Sequence, residues 1–244
     1  MTMPLSAPVE FETELIEVIQ RSRHIKSFRF LLPRGVTYLP GQIFVLTITM
    51  GGKEWRKHFS LSSSPTEEGY FEFTKRITDS EFSRNLAEVK PGVKARVKMP
   101  FGEFTFRGEA EKIAFVTGGI GITAPRSIIR FIHDRKLPTH VSLIYSNRTA
   151  EDVAFLEELL ELKKSWKNFQ AFFTLTKEEK LPDWAGFKGR ITADMVRRAT
   201  PDFHERVFFV SGPPSLVDSL VGVITTELSI PENQVKAERY MGYR

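Results

Sequence analysis

What most constrains this chain is a change of hydrophobic period part-way along it. Up to about Arg107 the apolar residues sit in short runs: VEFETELIEVIQ, IKSFRFLL, QIFVLTITM, KHFSLSS, YFEFTKRI, KARVKM and EFTF, each bounded by Gly, Pro or Ser clusters. Runs of this length and alternation read as strands. In YFEFTKRI the alternation puts Phe71, Phe73 and Lys75 on one side and Glu72, Thr74 and Arg76 on the other. QIFVLTITM is apolar on both faces, which suits a strand inside a closed barrel. The helical candidate in this part is Ser80 to Val89. Short strands at even spacing predict a small antiparallel β-barrel.

After that point strands and helices alternate. KIAFVT precedes ITAPRSIIRFIHDR, THVSLIYS precedes AEDVAFLEELLELKK, NFQAFFTLT precedes TADMVRRA, RVFFVS precedes PSLVDSLVGVITTEL, and QVKAERY lies near the end. Such alternation predicts a parallel sheet covered by helices on both faces. The seam falls in the polar segment RGEAEK. The expectation is therefore two domains: an N-terminal antiparallel β-barrel over 1–107 and a C-terminal α/β parallel-sheet domain over 108–244.

Composition narrows the function classes. Hydrophobic residues make up 41% of 244, enough for sizeable cores. The chain has no Cys, which excludes disulfides and Cys-ligated zinc or iron–sulfur clusters within it. Its 5 His lie in no cluster with carboxylates, so no metal site is expected. The start MTMPLSAPVEFETEL lacks a basic stretch followed by an apolar one, so no signal peptide is expected. No apolar run approaches the roughly 18 residues of a membrane span, so the expected localisation is cytoplasmic. Net charge is +5, with Lys and Arg dispersed. That pattern predicts no nucleic-acid partner and suits a phosphorylated ligand or an acidic protein.

The chemistry concentrates in IAFVTGGIGITAPRSIIRF, residues 113–131. A strand meets Gly118, Gly119 and Gly121, and a helix is expected from near Ile122. Glycine lets the backbone turn sharply and approach a ligand closely, and a helix N-terminus favours a phosphate. From Gly119 the pattern reads G-x-G-x-x-A, a form of the dinucleotide fingerprint, with Pro125 in the first helical turn. The next strand ends Tyr145-Ser146-Asn147-Arg148, with an Arg and no acid. An acid there would suit the ribose 2′-hydroxyl of NAD. An Arg suits a 2′-phosphate, so NADP(H) is expected over NAD(H).

With three further motifs, these residues resemble the ferredoxin–NADP reductase superfamily of flavin- and pyridine-nucleotide-dependent oxidoreductases. RKHFSLSSSP, residues 56–65, is similar to its flavin-binding R-x-Y-S-x-x-S segment. The resemblance puts Phe59 against the isoalloxazine, Ser60 at flavin N5 and Ser63 at the last Ser. It leaves either Arg56 or Lys57 for the flavin pyrophosphate. Phe73-Thr74-Lys75-Arg76 and Ser83-Arg84-Asn85-Leu86 resemble the strand and turn that edge the flavin phosphates. In the glycine stretch Ala124 takes the family's proline slot, and Thr123 falls close to the nicotinamide. VSGPPSLV, residues 210–217, resembles C-G-P-x-x-M. Gly212 and Pro213 match, and Ser211 stands in the Cys position beside the reacting centre. Glu238-Arg239-Tyr240-Met241-Gly242-Tyr243 is similar to the E-x-F-x-G-Y ending of bacterial members. That places Glu238 among the catalytic candidates, and Tyr243 among those for the cofactor.

The resemblance implies a flavoprotein, FAD rather than FMN, that moves a hydride between nicotinamide C4 and flavin N5. It would pass electrons singly to a separate carrier such as an acidic ferredoxin or flavodoxin. The alternatives are the flavin subunit of a larger complex, a free flavin reductase, and a non-enzymatic nucleotide-binding module.

Overall fold

The structure, a computed structural model, describes residues 7–177 and 186–240. These form two compact units: one gathers the chain up to Arg107 together with Arg126–Arg135, the other Gly108–Pro125 and the chain from Lys136 onward.

The first unit is a six-stranded antiparallel sheet. Its strands are β1 (Val9–Ser22), β2 (Ile25–Leu31), β3 (Ile43–Met50), β4 (Lys53–Ser60), β5 (Tyr70–Arg76) and β6 (Lys94–Phe101), in the order β4-β3-β6-β1-β2-β5. An antiparallel bridge between Leu61 and Phe73 joins the end of β4 to β5, so the two edges of the sheet meet there. The concave face holds the core: Phe28, Phe30, Phe44, Leu46, Ile48, Phe71, Phe73 and Val97.

The core is a run of rings. Phe28 stacks on Phe73 at 5.0 Å, and Phe73 on Phe59 at 4.3 Å. Such pairs add about 0.5–1.5 kcal/mol each beyond the area they bury. β3 buries one face more fully than its sequence suggests. Phe44, Leu46 and Ile48 lie in the core, whereas Thr49 on the other face is exposed. The short helix α1 (Glu81–Ala87) is capped by Ser80, whose side chain accepts from the Ser83 N–H.

The other face of β5 is buried as well. Glu72 is 1% exposed and accepts from Arg21 Nη2 (2.8 Å), Arg29 Nε (2.9 Å) and Ser62 Oγ (2.9 Å). A carboxylate taken out of water needs such partners. Period-two alternation alone reads Glu72 as a solvent-facing residue. The segment that follows β4 covers it instead.

The second unit is a six-stranded parallel sheet in the order β10-β9-β8-β7-β11-β12. Its strands are β7 (Lys112–Gly118), β8 (His140–Asn147), β9 (Phe169–Leu175), β10 (Phe187–Lys188), β11 (Val207–Gly212) and β12 (Val235–Arg239). Helices α2 (Thr123–Asp134), α3 (Leu156–Ser165), α4 (Ala193–Ala199) and α5 (Pro214–Gly222) connect them. Ala114, Val116, Ile144, Phe208 and Val210 from the strands pack with Val196, Val217, Leu220 and Ile224. The chain runs outward from β7 through β8 and β9, then returns to place β11 on the other side of β7. The carboxyl ends of β7 and β11 are thus the switch point of the sheet, where open α/β folds hold ligands. Among the described residues no helix is long and apolar enough to cross a membrane.

Candidate functional site

In the first unit, pairing register decides which motif residues meet. β4 pairs with β3 as Leu46↔Lys57 and Phe44↔Phe59. Lys57 and Phe59 therefore share the face of Phe44 and Leu46. The pair Thr47↔Arg56 puts Arg56 on the opposite face. There it lines a surface depression with Glu10, Val45, Thr47, Glu54, Arg96 and Lys98. Of the two cations considered for the pyrophosphate, only Lys57 lies beside Phe59, and Arg56 is separated from it by the pleat.

Phe59 is half-buried and continues the Phe28–Phe73 stack, with Phe82 stacked 6.0 Å further on. Lys57 Nζ stands 5.8 Å from the centre of the Phe82 ring. Lys75 reaches the same corner from β5, donating to Ser83 Oγ (2.8 Å) and to the Arg76 carbonyl (2.9 Å). Burial, and after it the charge of Lys57, lowers the Lys75 ammonium to about 8. Two ammonium groups near enough for the charge of one to lower the other, at the edge of an aromatic stack, form a donor set that a phosphate would neutralise. The residues present therefore fit a flavin with a phosphate tail. Ser60 ends β4 opposite Ile43 and is half-buried.

Two predicted contacts turn inward. Ser63 is fully buried; its hydroxyl lies 2.9 Å from Tyr38 Oη and accepts from the Glu72 N–H at 2.8 Å. The Thr74 hydroxyl is 2.6 Å from Ser27 Oγ and 2.9 Å from Ser62 Oγ. Both side chains serve the network around Glu72. Phe73 has no exposed surface and acts as the ring beneath Phe59.

The second unit builds its corner where β7 and β11 end. Gly118 and Gly212 close these strands, and a 3₁₀ turn, Gly119–Ile122, leads into α2. A Cβ on Gly121 would lie 2.5 Å from the Ser211 carbonyl and 2.6 Å from Thr117 Oγ1, so only glycine fits. Gly119 differs: its φ is +54° and nothing lies within 4 Å of an added Cβ. Its face is open, as a backbone cradle for a pyrophosphate needs. Tyr145 Oη donates to the Gly119 carbonyl at 2.8 Å and holds that peptide.

Ser211 is fully buried and donates to the Gly121 carbonyl at 2.9 Å. Thr117 Oγ1 donates to the Ser211 carbonyl at 2.8 Å. The Ser211 hydroxyl thus braces the glycine turn at the carboxyl end of β11. Thr123 Oγ1 lies 2.9 Å from Tyr240 Oη, which also donates to the Gly121 carbonyl at 3.3 Å. The Tyr240 N–H donates to the Gly212 carbonyl at 2.8 Å. Pro213 precedes α5, its carbonyl accepting from Leu216 and Val217. Ser146 pairs with Gly118 across the sheet, Arg148 is exposed just beyond, and Glu238 pairs with Ser211. Tyr243 lies outside the described residues.

Sequence reasoning passed over Tyr240, although the aromatic of the terminal pattern signals it. It also passed over Arg126, Ser127, Glu67 and Glu72, whose partners lie too far away in sequence for spacing to reveal them.

Comparison with known proteins agrees with this geometry. Residues 12–106 match the oxidoreductase FAD-binding domain family, and residues 115–221 the oxidoreductase NAD-binding domain family. NADH-cytochrome b5 reductase 1 of Ajellomyces capsulatus is 31% identical over 228 residues, covering 87% of this chain and 73% of that protein. The chain belongs to the ferredoxin–NADP reductase superfamily.

Two solved structures show the superfamily fold. A ferredoxin NADP+ reductase from Neisseria gonorrhoeae with bound FAD and NADP superposes with a TM-score of 0.78 at 17% identity, covering 94% of this chain and 98% of that one. The cytochrome b5 reductase domain of Ulva prolifera nitrate reductase gives 0.81 at 21%, covering 94% and 97%. The glycine betaine monooxygenase reductase subunit of Chromohalobacter salexigens is 28% identical over 215 residues, covering 86% of this chain. This superfamily member spans only 58% of that relative's length.

Proposed function

We propose that this chain is an NAD(P)H-dependent flavin oxidoreductase that delivers electrons to a separate one-electron carrier. The observation that carries the reading is the convergence of Lys57, Phe59, Lys75 and Ser83 on one corner of the first unit. When bound, FAD supplies the redox chemistry, taking two electrons as a hydride and releasing them one at a time. Lys57 and Lys75 neutralise its pyrophosphate, and Ser83 orients the Lys75 ammonium. Phe59 offers a flat surface to the ring system, and the Ser60 hydroxyl a hydrogen bond at its edge. In the second unit the open Gly119 peptide and the turn through Gly121 seat the nucleotide pyrophosphate. Thr123 and Tyr240 hold the turn's far side.

Nucleotide preference falls to Ser146 and Arg148. A strand end with no acid and an exposed guanidinium favours the 2′-phosphate of NADPH. The chain has no Cys, so it holds no iron–sulfur centre of its own to receive the electrons. Its charge of +5 suits an acidic ferredoxin or flavodoxin, by steering more than by affinity.

A second reading, the flavin module of a larger assembly, is favoured by the greater length of the monooxygenase reductase relatives. Stable co-purification with an oxygenase would select it. The test of the main reading is to extract and identify the flavin, then compare NADH with NADPH as reductants. Arg148→Ala should weaken NADPH at least tenfold more than NADH. Equal effects would remove Arg148 from 2′-phosphate recognition.

A further inference from the structure

The segment that follows the flavin-facing end of β4 is held by α2, an element that sequence assigns to the other domain. Arg126 is 5% exposed. It donates through Nη1 to the Ser62 carbonyl at 3.0 Å and through Nη2 to Glu67 Oε1 at 3.0 Å, and its Nη1 also meets Glu67 Oε2. Glu67 in turn accepts from the Ser64 N–H at 2.7 Å and from Tyr70 Oη at 3.0 Å. Ser127 Oγ donates to the Ser63 carbonyl at 2.6 Å and accepts from the Gly41 N–H at 3.2 Å.

On its other side the same segment meets the Glu72 network. The Ser62 N–H donates to the Glu72 carbonyl at 2.7 Å, and the Glu72 N–H donates to Ser63 Oγ. Ser62 and Ser63 are thus fixed from both sides, and the Ser64 N–H is held by Glu67. Burial alone would raise the Glu67 carboxyl, but the Arg126 charge together with the hydrogen bonds from Arg126, the Ser64 N–H and Tyr70 holds it below its usual range, so the clamp is an ion pair at neutral pH.

We propose that Arg126 and Ser127 are positioning residues: by fixing the peptides of Ser62 to Ser64 they set where Ser60 and Phe59 stand against the flavin. This rests on the flavin reading above. Phe59 and Ser60 lie two to three residues upstream of the clamped peptides, with only Leu61 between Ser60 and Ser62. A rotation of the Ser62 peptide therefore passes directly into β4. A guanidinium suits this task because its planar fork serves a carboxylate and a carbonyl at once, which an ammonium cannot do in the same geometry.

The test compares wild type, Arg126→Lys and Ser127→Ala, each flavin-free and then loaded with FAD. Arg126→Lys keeps the charge beside Glu67, and Ser127→Ala keeps the ion pair, so neither leaves a buried carboxylate without a cation. In the flavin-free variants, amide exchange at residues 62–64 should speed up at least tenfold. In the loaded variants, the flavin midpoint potential should shift, and single-turnover reduction by NADPH should slow about tenfold with the nucleotide dissociation constant unchanged. A folded variant that no longer takes up FAD is the stronger form of the same result. Should Arg126→Lys not fold, Ser127→Ala decides. Unchanged potential and reduction rate, whatever happens to the melting temperature, would make the clamp merely structural and overturn the proposal. If the loaded wild type is not reduced by NADPH or NADH, it is the flavin reading that fails.

Discussion

At the residue scale the most informative group is Lys75. An ordinary lysine titrates near 10.4, whereas this one sits at about 8, because burial and then Lys57 disfavour its charge. Below about pH 8 the folded, flavin-free protein carries a crowded charge that the unfolded chain bears without penalty. Between about 8 and 10.5 the unfolded chain keeps a proton the folded one has lost, so stability rises with pH across that window. Urea unfolding of the flavin-free protein should show this rise, and Lys75→Met should flatten it. A bound pyrophosphate reverses the balance by favouring the ammonium. FAD binding near pH 8 to 9 should therefore take up a proton, seen as a heat that varies with buffer ionisation enthalpy. Arg126 is a second informative residue. Arg126→Met leaves the part-buried Glu67 carboxylate without its cation and should destabilise the protein by about 1–3 kcal/mol, measured by denaturant unfolding. Adding Glu67→Gln should recover much of that loss.

At the element scale the glycine turn separates two kinds of constraint. Gly121 is closed in by the Ser211 carbonyl, Thr117 Oγ1 and Gly212 Cα. Gly121→Ala should cost on the order of 1–3 kcal/mol of stability, from overpacking against backbone that cannot yield. Gly119 faces open space but has a φ of +54°, so Gly119→Ala should still fold at a cost of about 1–2 kcal/mol of backbone strain, and it should lose nucleotide affinity because its methyl group occupies the cradle. Thermal melts should fall for both variants, and nucleotide titrations should show the direct loss at Gly119→Ala. Element identity was largely legible here: β7, α2, β8 and β11 follow from apolar period and glycine punctuation. Boundaries were less so. AEDVAFLEELLELKK reads as one helix, yet α3 begins only at Leu156, after a 3₁₀ turn at Ala150–Asp152 and a Phe155 with φ of 60°. Leu160, one of the leucines in that segment, is 46% exposed. Local pattern records that a helix exists, and tertiary packing decides where it starts and which leucines it buries.

At the scale of the whole molecule, two sheet types in sequence order follow from two hydrophobic periods, and both are present. What sequence does not carry is how distant segments close on one another. Strand register puts Arg56 and Lys57 on opposite faces of β4, a difference that adjacency in sequence cannot express. The grouping of Arg126–Arg135 with the first unit likewise depends on bonds across some 60 residues of chain, as between Ser127 and Ser63. Motif resemblance named the candidates for the flavin, and the structure shows which of them lie together. Lys57, Phe59, Lys75 and Ser83 gather at one corner. Ser63 and Thr74 turn to Glu72, Arg56 faces away, and Ser211 braces the glycine turn. The central proposal is that this chain is an NAD(P)H-dependent flavin oxidoreductase. The most direct test is anaerobic rapid mixing of the FAD-loaded protein with NADPH and, separately, NADH. The flavin absorbance should bleach in a single turnover, faster at subsaturating NADPH than at equal NADH. A flavin that stays oxidised with both nucleotides, or a protein that takes up no FAD, would contradict it.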